Sequence, residues 1–140
     1  MAVTFLDAHA LIDFLTGGPA LGAVTQLLRG DDTAATTTNI AETCDVSARR
    51  LGIPVARVMD LLEPLLGSVL TVVPLDLETA IRAGTLRAEH YGRATRRLSL
   101  ADAVLLASAR PGDKIATADP LVLELAQALD VTPVRLPAGR

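Results

Sequence analysis

Apolar and polar positions along this chain follow two rhythms, and the two take turns. Short apolar or β-branched runs fall at positions 2–6, 34–37, 69–73, 114–117 and 131–136, and each reads as a buried strand. Between them, apolar residues recur every three or four positions, the spacing of one helical face. That spacing predicts helices over 8–15, 19–29, 39–51, 54–66, 77–91, 100–109 and 120–129. The stops agree with it: Gly17-Gly18-Pro19, Gly52, Gly92 and Pro111-Gly112 punctuate the periodic stretches. Strands alternating with helices predict an α/β fold, a three-layer α/β/α arrangement around a central, mainly parallel sheet. No internal repeat, low-complexity stretch or linker interrupts the pattern, so one domain over 1–140 is expected. The stretch 92–97 is the expected flexible segment.

Composition narrows the class. Half of the 140 residues are hydrophobic, with mean hydropathy +0.40 and only 2% aromatic. This suits a core of Ala, Leu and Val, and it is enough apolar residue to expect a face that meets a partner. No apolar run has the length of a bilayer span, and Asp7 interrupts the first one, so neither membrane insertion nor a signal peptide is expected. The single cysteine, Cys44, has no partner for an internal disulfide, and on a helix it reads as a small packed residue. Together these lead us to expect a cytoplasmic location. Net charge is −3 and the pI about 5.3, which excludes a protein basic all over. Local basic patches remain: Arg49, Arg50, Arg96 and Arg97 are the candidates for contacts to nucleic-acid phosphate.

Four acids stand where acids are costly. Asp7, Glu42, Asp102 and Asp119 each follow or border an apolar stretch at the point where a helix could start. A carboxylate beside a core needs compensation. In an open parallel sheet, ligands bind beyond the carboxyl ends of the strands. Asp7, Glu42 and Asp119 follow predicted strands, and Asp102 joins them if its helix starts at the same edge. Hard oxygen donors suit Mg²⁺ or Mn²⁺ and not zinc. Each acid also has an ordinary reading as a helix cap. Asn39 to Glu42 and Ser99 to Asp102 both have capping-box spacing, Asp119 precedes Pro120, and Asp7 could cap as well. Asp76 is the internal control, a strand-end acid in a plain capping position.

The ordered set resembles the PIN-domain ribonucleases, and within them the VapC toxins of toxin–antitoxin pairs. LDAHALIDFL is similar to the family's opening motif, NIAE to its glutamate segment, LSLADAVLLASA to its third motif and IATADP to its T-x-D motif. The resemblance implies that Asp7, Glu42, Asp102 and Asp119 hold one or two Mg²⁺ or Mn²⁺ ions that activate water against an RNA phosphodiester. It implies that Thr117 orients Asp119 or a metal-held water. It also implies a VapB-like antitoxin, a homodimer, and a helical arm over 55–66 that serves both contacts. An antitoxin could inhibit by inserting an arginine or lysine among the carboxylates. His9 occupies the position where many members carry a small hydroxyl residue, and it is expected to be a partly buried first-turn histidine; His90 is expected on the surface. The alternative is a PIN-like module that binds RNA or protein without cutting. Receiver domains and haloacid-dehalogenase-like phosphatases fit poorly, because position 9 is a histidine where they need a second acid.

Overall fold

The computed structural model describes residues 2–91 and 97–139. Of the stretch expected to be flexible, all but Arg97 lies outside them, as does Arg96. The elements are β1 (Thr4–Leu6), α1 (Ala8–Thr16), α2 (Leu21–Gly30), β2 (Thr33–Thr36), α3 (Thr37–Leu51), α4 (Val55–Leu62), β3 (Leu70–Val73), α5 (Leu77–His90), α6 (Leu100–Ser108), β4 (Lys114–Thr117), α7 (Pro120–Ala128) and β5 (Thr132–Arg135).

All five strands run parallel in the order β3-β2-β1-β4-β5. The chain builds outward from β1 to β3 and then crosses back to β4 on the other side of β1. The β1/β4 boundary is therefore the topological switch point, where a crevice opens beyond the strand ends.

Side-chain alternation along the strands divides the core in two. Phe5, Ala34 and Ile115 stand in register on one face and pack against Ala83 of α5, Leu105 of α6 and Val122 of α7. One residue further on, Leu6, Ala35 and Ala116 face the opposite way, toward Leu11, Val24, Val58 and Leu62 of α1, α2 and α4. Fully burying one such leucine or valine contributes about 1.5–3 kcal/mol. Alanines at the sheet's centre bring the helices close on both sides. No single helix among the described residues is long and apolar enough to cross a membrane.

Local chemistry moves three of the expected boundaries. The second strand covers Thr33–Thr36 and not 34–37, because Thr36 Oγ1 accepts from the Asn39 N–H and starts α3 there. Asn39 is thus the third residue of α3 and Glu42 the sixth, in its second turn. The capping box expected at Asn39 is replaced by the Thr36 cap. The helix expected over 54–66 ends at Leu62: Pro64 has no N–H to continue it, and Gly67 turns the chain at φ +79° so that Leu66 bridges to Leu70. Gly52 ends α3 as expected, in the left-handed conformation that glycine adopts most freely.

Candidate functional site

The carboxyl ends of β1 and β4 deliver Asp7 and Asp119, the second turn of α3 delivers Glu42, and the start of α6 delivers Asp102. Asp7 follows β1 and caps α1, its Oδ1 accepting from the Ala10 N–H at 2.8 Å. Its Oδ2 accepts from the Thr117 hydroxyl at the end of β4, 2.5 Å away. Thr117 is wholly buried, and its Oγ1 in turn accepts from the Asp119 N–H at 3.1 Å. Asp119 caps α7 through the Leu121 N–H at 2.8 Å, with Pro120 in the first helical turn. Ser99 caps α6, accepting from the Asp102 N–H at 3.1 Å. Glu42 receives the Asn39 Nδ2 at 3.3 Å. The capping expectations for Asp7 and Asp119 therefore hold, and of the box expected at Ser99–Asp102 the Ser99 half is present.

All four acids line a single groove of about 540 Å³, and Arg49 and Arg50 line it with them. α3 carries Glu42 and both arginines and packs against α1 and α6, which carry Asp7's cap and Asp102. Arg49 is held by Asp45 one turn earlier, through bonds of 2.9 and 3.2 Å. Arg97 does not line the groove; it stacks over the Tyr91 ring and donates to its hydroxyl at 3.1 Å.

The electrostatics separate Asp7 and Asp102 from ordinary caps. Burial pushes the Asp7 carboxyl up, against the pull of its bonds to Thr117 and Ala10; the charge of Glu42 adds to the rise. Asp102 is pushed up to about 7, first by burial and then by the charges of Asp119, Asp7 and Glu42, with the Ser99 bond opposing. Asp76 has the same capping geometry at α5, yet the Thr79 bonds hold its carboxyl below the ordinary value. Capping geometry is shared, and what differs is burial among like charges.

Among the described residues no three His, Cys, Asp or Glu side chains are already gathered into a metal cage. The donor set nonetheless fits a hard divalent cation: it is all oxygen, it shares one groove, and its mutual repulsion is the cost a cation removes.

Three residues escaped the sequence reading. Asn39, taken there only for a cap, is wholly buried and holds Glu42; its i, i+3 spacing within a helix was the available signal. Asp13, on α1 and outside the four acids singled out, lines the groove while its Oδ2 accepts from the Ala20 N–H at 3.0 Å. His9 lines the groove too, and is exposed where partial burial was expected, because the second residue of α1 points away from the core.

This architecture, a parallel sheet with an acidic groove at its switch point, coincides with a match to the PIN domain family over residues 4–131. The chain belongs to the PIN domain family. Among solved structures it is similar to VapC20 of Mycobacterium tuberculosis, a sarcin-ricin loop cleaving toxin, at 20% identity and TM-score 0.58, covering 74% of this chain and 78% of that one. It is similar to DNA-bound VapBC of Salmonella typhimurium at 18% identity and TM-score 0.67, covering 96% and 98%. It also resembles FitAcB of Neisseria gonorrhoeae at 22% identity and TM-score 0.66, covering 94% and 96%. At these identities the likeness extends to the fold. A comparison with curated proteins finds no match.

Proposed function

We propose that this chain is a metal-dependent endoribonuclease and the toxin of a VapBC-type pair, acting in the cytoplasm as a single domain. The observation that carries this reading is the meeting of Asp7, Glu42, Asp102 and Asp119 in one groove of a PIN domain. Nothing in plain RNA or protein binding calls for four carboxylates at mutual electrostatic cost.

These four acids would hold Mg²⁺ or Mn²⁺. When bound, such an ion supplies Lewis-acid stabilisation of phosphate charge and activation of water at neutral pH. The remaining work belongs to the protein. The Thr117 hydroxyl fixes the orientation of Asp7 and, through the Asp119 N–H, the entry to α7. Asn39 restrains Glu42. Arg50 and Arg49 offer cations to the RNA backbone along the groove wall. The half-exposed Leu51 and Val55, at the α3–α4 corner beside the groove, supply an apolar surface for an antitoxin or a second copy.

The test is cleavage of purified RNA. Several kcal/mol of lost charge stabilisation means a fall of at least about 100-fold for Asp7→Asn or Asp102→Asn. EDTA should stop the wild-type reaction, and Mn²⁺ or Mg²⁺ should restore it. If Asp7→Asn cleaves at the wild-type rate, these carboxylates are not the metal site. If the wild type binds RNA and never cuts it, the chain is a non-cleaving binding module.

A further inference from the structure

A second cavity of about 630 Å³ adjoins the acidic groove, and His9, Asp13 and Asp119 form the wall that both share. Its size is that of a small-molecule site, roughly 300–1,000 Å³. Its other walls are largely apolar: Pro19 and Pro120 from two helix entries, and Leu136 and Pro137 from the segment that follows β5. Among the described residues no lysine or arginine lines it. The two carboxylates at its mouth repel phosphate, so the cavity is unsuited to the RNA backbone. It suits something flat, uncharged and rich in donors, beside the groove that the four acids line. We propose that this cavity is a base-reading subsite for the nucleotide next to the cleaved phosphodiester, a step that rests on the nuclease reading above.

The proline rings and Leu136 give the base apolar faces to lie against. Asp13 supplies the reading group. Its Oδ2 is fixed by the Ala20 N–H at 3.0 Å and its Oδ1 lies against Gly18, which holds the carboxylate at the shared wall with lone pairs left to accept. A carboxylate acceptor favours a base with an exocyclic amine, namely cytosine, adenine or guanine. Uracil offers only its N3–H, flanked by two carbonyl oxygens that the carboxylate repels, and is disfavoured. The preferred RNA is therefore single-stranded, with an amino-bearing base beside the cut.

Two measurements test this. In the first, cytidine, guanosine and uridine are titrated into metal-free protein while backbone amides are followed by NMR. Cytidine and guanosine should shift Ala118, Leu136 and Ala138, with uridine weaker, and Ala138→Trp should remove the shifts by filling the cavity from the exposed C-terminal segment. In the second, the protein cleaves single-stranded RNA randomised around the cut. Wild type should prefer an amino-bearing base over uracil by about tenfold. Asp13→Asn keeps an oxygen for the Ala20 N–H and presents a donor in place of the acceptor, so the preference should move toward uracil. A matching melting temperature establishes that each variant is folded. The proposal is overturned if nucleosides leave those amides unmoved, or if the preference is unchanged in both variants. It is also overturned if an apolar peptide occupies the cavity while nucleosides do not. Nucleoside binding in a protein that cuts no RNA would keep the subsite and remove the nuclease.

Discussion

The Thr117 hydroxyl donates to Asp7 Oδ2 at 2.5 Å, joining the ends of β1 and β4 across 110 residues of sequence. The same oxygen receives the Asp119 N–H, so one buried hydroxyl ties two of the four acids together.

Thr117→Val keeps the shape of the side chain and deletes both bonds. A buried carboxylate oxygen and a part-buried N–H lose their partner, at a cost of about 1–3 kcal/mol. Urea denaturation should show that loss, and RNA cleavage should fall with it, whereas Thr117→Ser should keep much of both. Wild-type stability in the valine variant would mean that the hydroxyl is dispensable.

Metal-free protein should lose stability as pH rises from about 4 to about 7. Asp102 ionises at about 7 in the fold, against 3.8 ordinarily, and Asp7 is raised as well. Below the lower value both states hold the proton. Between the two, the unfolded chain releases its proton more readily, so the group's contribution fades as pH climbs through the window. Melting in EDTA between about pH 5 and 8 should show this slope, and Asp102→Asn should flatten it. Added Mg²⁺ or Mn²⁺ should raise the melting temperature more at the alkaline end, where the carboxylates are ionised.

Asp119 separates structure from chemistry. Asp119→Asn retains a capping oxygen for the Leu121 N–H, so α7 should be nearly as stable, while metal-dependent cleavage drops. Asp119→Ala loses the cap as well, at about 1 kcal/mol. Intact cleavage in both variants, with only Asp119→Ala destabilised, would leave Asp119 a cap alone.

The two groove arginines should differ. Arg49 is already bonded to Asp45, and no ion pair of Arg50 is found among the described residues. Arg50→Ala should raise KM for RNA several-fold and lower the slope of log K against log salt by about 1. Arg49→Ala should do less. A larger effect at Arg49 would mean that the Asp45 pair opens to admit phosphate.

The chain's rhythm made the order of strands and helices legible, and the parallel sheet with it, because alternation leaves few other ways to bury both faces. Boundaries were less legible where local chemistry decided them: the Thr36 cap drew the start of α3 forward, and Pro64 with Gly67 ended α4 early. The four acids were visible as acids in costly places. That they share one groove rested on the strands being parallel and on where α6 starts, since Asp7 and Asp119 are also sound helix caps, and Asp76 shows how such a cap behaves without neighbours.

The sequence by itself determined the α/β class, the five strands and the identity of the acids, because periodicity and capping act over a few residues. Only the tertiary structure decided that Thr117 binds Asp7, that Asn39 holds Glu42, that Asp13 and His9 wall two adjoining cavities, and that Arg97 turns to Tyr91. Most of these depend on crossovers that bring distant strand ends to one edge, and the Asn39 and Arg97 contacts on which way a side chain is turned once the helices have packed. The i, i+3 spacing of Asn39 and Glu42 allows their contact, and no local pattern encodes the rest.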